Sequence, residues 1–294
     1  MLKIENSTRQ SAKLRPARPE DASDLGRIGY EAFNAIATRH GYPCDIPSIQ
    51  IGIEMMRRRL THPKFYSVVA EVGSTIVGSN FLDERSRVTG IGPITVDPTY
   101  QTGGIGRELM LDVLQRSAET GSVSTRLVQV AYNTRSLALY SKLGFETREP
   151  LSNITGRPPR QRMLGRTTRK ATTADSKSCN ELCEVIHGHN RSGELADAIA
   201  GDNAVVVERE GRVSGYSTGL GFGGHSVGET NEDIEALISS ADSFTGPGIL
   251  VPTRNGSLLR WCLNNGLKIN QQMTLMTLGL YNEPKGQYLP SILF

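Results

Sequence analysis

Long apolar runs are absent from this 294-residue chain. No stretch approaches the ~18 consecutive apolar residues that a membrane-spanning helix requires. The opening segment, Met1 to Arg15, is polar and holds no apolar core of the kind a secretory signal carries, so none is expected. Cysteine is scarce. Its four copies, Cys44, Cys179, Cys183 and Cys262, fit reduced thiols in a cytoplasmic protein. An excess of one charge is lacking too: 33 Lys and Arg against 30 Asp and Glu leave a net charge of +3. That is too little to argue for nucleic acid or an acidic membrane surface as a partner. The densest basic run, Arg57-Arg58-Arg59, and a looser one from Arg157 to Lys170 read as a solvated helix face and a linker.

What is present describes a soluble globular protein, with 37% hydrophobic and 21% charged residues. The length suits two domains better than one. Leu25, Ile28, Ala32, Phe33 and Ile36 recur at helical spacing within Glu20 to Arg39, behind a proline at 19 that a first turn tolerates. A weaker helix is predicted over Ile49 to Leu60. Strand-forming runs follow at Tyr66–Glu71, Thr75–Leu82 and Ile91–Val96, with Gly73-Ser74 as a hairpin turn between the first two. Then come a glycine-rich loop, a helix over Arg107–Glu119, a strand at Leu127–Ala131 and a helix over Thr134–Leu143.

From Gly156 to Ala174 the composition turns to Arg, Pro, Thr and Gly without periodicity, as in a linker. Beyond it the pattern partly repeats. Helices are expected at Ser178–His187, Asn231–Ala241 and Gly256–Asn265, with strands at Ala204–Glu208, Arg212–Gly219, Gly248–Val251 and Met273–Leu280. The recurrence suggests a diverged tandem repeat.

The loop Gln101-Thr102-Gly103-Gly104-Ile105-Gly106-Arg107 follows a strand closed by Pro98 and opens onto a helix. Unpaired amides at a helix N-terminus, backed by the helix dipole, attract anions, and glycines let a phosphate approach them. A pyrophosphate would suit this loop, with Arg107 available for a further contact. Neither a Gly-Lys-Ser/Thr P-loop nor a G-x-G-x-x-G dinucleotide fingerprint is present. A glycine loop that merely turns a corner is the plainer alternative.

A second segment runs Asn133-Thr134-Arg135-Ser136-Leu137-Ala138-Leu139-Tyr140-Ser141-Lys142-Leu143-Gly144-Phe145, with Gly144 as a helix stop. Taken alone, Tyr140 reads as a core tyrosine. Together the two segments resemble the GCN5-related N-acetyltransferase (GNAT) superfamily. Its acetyl-CoA loop, Gln/Arg-x-x-Gly-x-Gly/Ala, is matched by Gln101, Gly104 and Gly106. Its later asparagine, tyrosine and Leu-Gly-Phe ending are matched by Asn133, Tyr140 and Leu143-Gly144-Phe145. The resemblance covers about Leu14 to Glu149, including the opening Leu14-Arg15-Pro16-Ala17.

That resemblance implies an α+β, mixed α/β class: two GNAT-like domains, each a mostly antiparallel mixed sheet flanked by helices. Residues 12–156 would be the acetyl-CoA-binding catalytic domain, 157–173 a linker, and 174–294 a degenerate second domain. By position, the backbone of Ile94, Thr95 and Val96 would pair with the pantetheine arm of acetyl-CoA, and an N–H near Val96 would steady the oxyanion. Amides of Gly103, Gly104, Ile105, Gly106 and Arg107, in the loop that also holds Gln101 and Thr102, would bind the pyrophosphate. Tyr140 stands where the family keeps its general acid, and Asn133 would orient the cofactor arm or a water.

The general base is open: Glu31, Asp83 and Glu84 are candidates by segment, and His225 is another across the second half. In that half, Asn255 through Gly266 echoes the first half's ending, and Tyr288-Leu289-Pro290-Ser291-Ile292 resembles the tail of a tandem subgroup. No acetyl-CoA loop precedes Asn231, and no tyrosine stands in the place of Tyr140, so cofactor binding in the usual way is not expected there. Gly219 to His225 could pass for a nucleotide loop, but strand-edge glycines explain it equally well. Cys179, Cys183 and His187 have metal-ligand spacing, yet Leu182 and Ile186 put the cysteines on an apolar face, and no metal is expected.

The function expected is transfer of an acetyl group from acetyl-CoA to an amine, a small molecule being favoured over a protein lysine. A non-catalytic CoA-binding protein and an acyltransferase for longer acyl-CoA are the alternatives.

Overall fold

The computed structural model describes residues 12–101 and 103–294, so most of the Met1–Arg15 segment, and Thr102, lie outside the described residues. The first stretch of chain forms β1 (Lys13–Pro16), α1 (Ala22–His40), α2 (Ile49–Thr61), β2 (Phe65–Val72), β3 (Thr75–Asp83), β4 (Val88–Ile91) and β5 (Thr95–Val96). It continues with α3 (Ile105–Glu119), β6 (Ser124–Val130), α4 (Thr134–Lys142), β7 (Glu146–Thr155) and β8 (Thr167–Lys170). Then follow α5 (Ser176–His187), α6 (Ser192–Ala200), β9 (Val205–Arg209), β10 (Arg212–Ser217) and β11 (Ser226–Gly228). The chain finishes with α7 (Asn231–Ser240), β12 (Ile249–Pro252), α8 (Gly256–Asn264), β13 (Lys268–Gly279) and β14 (Gln287–Leu289). No helix among the described residues is long and apolar enough to cross a membrane.

By its contacts the chain divides into two compact units: Met1–Leu82 with Ile91–Thr120, and Asp83–Gly90 with Gly121–Phe294. In the first, β1 pairs antiparallel with β2, Leu14 opposite Ala70, and β3 lies on the other side of β2. β5 pairs antiparallel with β3, Gly78 opposite Val96. The apolar face of α1 meets α2 and β2 in a core of Leu25, Ile28, Met56, Val69, Ile76 and Phe81. Each such side chain contributes about 1.5–3 kcal/mol by leaving water. The strand expected over Ile91–Val96 is broken. Gly92, at φ 139°, and Pro93, which has no N–H for a ladder, separate β4 from β5.

The second unit holds the sheet β4-β6-β13-β7-β12, in which β4 runs parallel to β6 and the other pairs are antiparallel. A second, antiparallel sheet has the order β14-β11-β10-β9-β8. In the first of these, β13 lies between β6 and β7, while β7 lies between β13 and β12. The strand–helix–strand piece β6-α4-β7 and its later counterpart β12-α8-β13 thus exchange their last strands. Each fills the gap the other leaves between its own two strands.

The repeat suspected from the sequence recurs in detail. Arg15 forks onto Asp21 at 2.8 and 3.0 Å and reaches Glu71 at 2.8 Å. Arg169 forks onto Asp175 at 2.8 and 2.7 Å and reaches Glu208 at 3.0 Å. Arg169 lies in β8, inside the segment 157–173 expected to be a linker. That segment therefore carries the opening strand of the second repeat, paired with β9, and the compact units do not divide there.

Candidate functional site

Val96 is where the first unit's loop begins. Asp97 N–H donates to Val77 O at 2.9 Å, and Ser79 faces Thr95 in the ladder. Antiparallel ladders alternate bonded and non-bonded pairs, so Thr95 spends its backbone groups on β3 while those of Val96 point off it. The Val96 carbonyl accepts Gln101 Nε2 at 3.1 Å, which folds the loop back on the strand end. Asp97 then caps a one-turn 3-10 helix, Pro98–Tyr100, its carboxylate accepting Thr99 N–H at 2.9 Å.

Gly104 is the N-cap residue of α3, at φ 89°, a left-handed backbone that glycine adopts freely. No side chain caps α3. Its first-turn amides and the positive end of its dipole are therefore open to an anion, which suits the pyrophosphate expected there. Gly103, Gly104 and Arg107 are exposed, Ile105 is buried against the core, and Ile94, between β4 and β5, is half-buried. Thr102 lies outside the described residues.

In the second unit, Asn133 is the N-cap of α4, its side-chain oxygen accepting Ser136 N–H at 3.2 Å. This asparagine therefore has a structural task whatever else it does. Seven residues on, Tyr140 is buried and packs edge-on against Phe145, ring centroids 6.2 Å apart. Burial pushes its phenol up to about 12, with a hydrogen bond from Ser136 opposing. The phenol is fully protonated at neutral pH.

The later repeat differs at these points. Asn255 caps α8 with the same geometry, accepting Leu258 N–H at 3.2 Å. Seven residues on stands Cys262, fully buried, its thiol pushed up to about 12 by burial. Helix α7, the counterpart of α3, opens instead on Thr230, with a capping-box carboxylate at its third position. Asp233 accepts Thr230 N–H at 2.9 Å and is itself held by Arg166 at 2.9 Å. Beside Asn255, a cavity of 450 Å³ is lined by Pro252, Arg254 and Gln287, where Arg254 is already committed to Glu149 at 2.7 Å and Glu283 at 2.8 Å.

Of the candidate bases, Glu31 lies in the first unit and Asp83, Glu84 and His225 in the second. Glu31 pairs with Arg27 at 2.8 Å, and Asp83 with Arg85 at 2.6 Å. Glu84 is half-buried. His225 is fully buried, and burial, then the nearby Arg191 guanidinium, hold its imidazole well below the usual range. The Gly219–His225 run is a tight connection between β10 and β11, where a Cβ on Gly224 would lie 1.8 Å from the Gly219 carbonyl. Cys179 and Cys183 pack with Leu182 and Ile186 in the core, burial pushing their thiols up to about 12 and about 11. Sequence reasoning missed Arg126, wholly buried in β6. The signal was there: a charge on the strand face shared with Val128 and Val130.

The first unit thus carries a strand end feeding a glycine-opened helix, and the second an asparagine-capped helix bearing a buried phenol. Residues 33–145 match the model of the acetyltransferase (GNAT) family. The likeness to that family is thus borne out over residues 33–145. A candidate acetyltransferase from Pyrococcus horikoshii shares the fold with a TM-score of 0.74 at 19% identity, over 100% of this chain and 98% of that chain. A GCN5-related N-acetyltransferase from Sphaerobacter thermophilus does so at 0.61 and 14% identity, over 92% and 96%. A tandem GNAT protein from the clavulanic acid biosynthesis pathway gives 0.55 at 13% identity, over 92% and 100%. At these identities the likeness is one of fold, and it extends over both repeats. No curated protein matches the chain in sequence.

Proposed function

We propose that the protein is an acetyl-CoA-dependent N-acetyltransferase, with a catalytic first repeat (residues 12–156) and a degenerate second repeat that begins with β8 at Thr167. The observation that carries this reading is the contrast between two equivalent helices. The N-terminus of α3 is opened by a left-handed Gly104 at the end of a glycine loop, while α7 starts from an extended Thr230 with an Asp233 capping box held by Arg166.

The amides of Gly103 to Arg107 would hold the pyrophosphate, with Gln101 shaping the loop. The amine nitrogen attacks the thioester carbonyl, the C–S bond breaks, and the products are an N-acetylamine and free thiol. The Val96 N–H, directed off β3, suits the oxygen on which negative charge develops. Tyr140 serves as the acid. With the phenol near 12 and a thiol at about 8.5, complete transfer to sulfur is uphill, so the phenol acts chiefly by donating a hydrogen bond as sulfur gains charge. The amine's own proton finally neutralises the thiolate. A small-molecule amine is the favoured acceptor.

Calorimetry with acetyl-CoA on the whole chain tests this, alongside Gly104→Glu, which strains the left-handed backbone and puts an anion in the loop. One-site binding that is lost in the variant is expected. No binding by folded wild type sinks the proposal. Tyr140→Phe should keep the binding and lose roughly 100-fold or more of turnover; unchanged turnover would remove Tyr140 from the mechanism.

A further inference from the structure

Strand β6 carries a charge where its neighbours carry apolar groups. Val128 and Val130 pack into the core with Leu275 and Tyr288, and Arg126 lies on the same side of the pleat with 2% of its surface exposed. Its guanidinium carbon sits 4.7 Å from the Phe294 ring centroid and 5.1 Å from that of Tyr281. Those rings engage the positive charge but accept nothing from its N–H groups in the ordinary sense. Nε and Nη1 are buried without a hydrogen-bond partner among the described residues. The neighbouring cations are matched, Arg191 by Glu194 at 2.5 Å and Arg85 by Asp83 at 2.6 Å and by the solvent-exposed Asp197 at 3.0 Å. Arg126 is not.

Other unmet donors surround it. His225 stacks on Phe294 at 4.9 Å with the rings 5° from parallel, and His187 lies 5.1 Å from both rings. Both ring nitrogens of His225 and Nε2 of His187 are buried without partners. Burial, reinforced by nearby guanidiniums, keeps these imidazoles neutral, so each offers one N–H. An unpaired buried charge is among the costliest things a core can hold, and a leucine or methionine would fill the space without that cost. One unmatched cation calls for one negative charge. A dianionic phosphate would overshoot it, whereas a carboxylate balances it and accepts from several N–H donors. We infer that Arg126, His187 and His225 form a buried site for the carboxylate of a small molecule. The site does not depend on acetyl transfer. The carboxylate belongs either to the amine acceptor or to a separate ligand.

Thermal unfolding of the whole chain tests this, with sodium formate, acetate and glycolate titrated against sodium chloride at equal ionic strength. A Tm that climbs by a few degrees with the logarithm of carboxylate concentration, beyond the chloride control, is expected. In Arg126→Met that climb should vanish while the starting Tm holds or rises, because an unmatched buried charge is gone. Arg126→Lys keeps the charge but loses the planar fork, and should weaken the response at least tenfold. If no carboxylate raises the wild-type Tm above chloride, or Arg126→Met responds equally, the site does not exist. Turnover of glycine and alanine but not methylamine and ethylamine would put the carboxylate on the acceptor; a Tm response without such a preference would give it to a separate ligand.

Discussion

Cutting the chain after Gly156 should yield a first half that does not fold by itself, even though it contains both the glycine loop and the Asn133–Phe145 segment. Both neighbours of β7, namely β12 and β13, come from the later repeat. Without them Leu151 and Ile154, both fully buried, return to water at about 3–6 kcal/mol together. Glu149, wholly buried, loses Tyr288 and Arg254, the groups that compensate it. β6 becomes an open edge along the seven positions it pairs with β13. Domains of this size are stable by only about 5–15 kcal/mol, so these losses remove most of the margin. The assay is circular dichroism on purified 1–156, with co-expressed 157–294 as the rescue. A scan without a cooperative transition, restored by the partner fragment, is expected. A monomeric 1–156 that melts cooperatively would refute the reasoning.

The two matched caps make a paired prediction. Asn133→Ala should lose about 1 kcal/mol, whereas Asn255→Ala should lose about 2–3 kcal/mol. The difference arises because Asn255 Nδ2 also donates to Asn231 at 2.8 Å and Gln287 at 2.7 Å. Urea unfolding measures both, and equal losses would contradict the geometry. Asn133→Ser should keep the cap and the stability, so any turnover it loses reports the amide's part in the chemistry. The buried histidines predict acid sensitivity. His187, His189 and His225 all have imidazoles held below their ordinary range by burial, His189 at about 3. Below about pH 6.5 the unfolded chain takes up protons that the native one does not. Stability is therefore fully present above that pH and should fall as pH drops, by about 4 kcal/mol per unit for three imidazoles. His225→Gln should flatten the slope by a third; a wild-type stability that is level from pH 7 to 5 would show that these rings titrate normally.

Much of the candidate site was legible because its signals are local. Gly104 at a left-handed N-cap, Gln101 folded onto the strand end and Asn133 capping α4 each depend on a few neighbours in the chain. The helices α1, α3, α5 and α8 announced themselves by apolar spacing. Other elements did not. β7 opens with Glu146-Thr147-Arg148-Glu149-Pro150, a polar run with a proline that reads as loop; it is a strand because β12 and β13 flank it. β8, beginning Thr167-Thr168, was hidden in a basic segment for the same reason.

The sequence by itself determined the family motif, the order of most elements and the fact that only one repeat carries a Gln-x-x-Gly-x-Gly loop before its helix. Those properties reside in contiguous residues, where backbone conformation and spacing suffice. The tertiary structure alone decided which strands pair, and so that the repeats exchange β7 and β13. It also decided that Arg166 holds Asp233 at the start of α7 and that Arg126, His187 and His225 meet in one buried cluster. Such choices depend on contacts between residues tens to more than a hundred positions apart, where hydrogen-bonding edges and buried charge are satisfied only in the assembled fold.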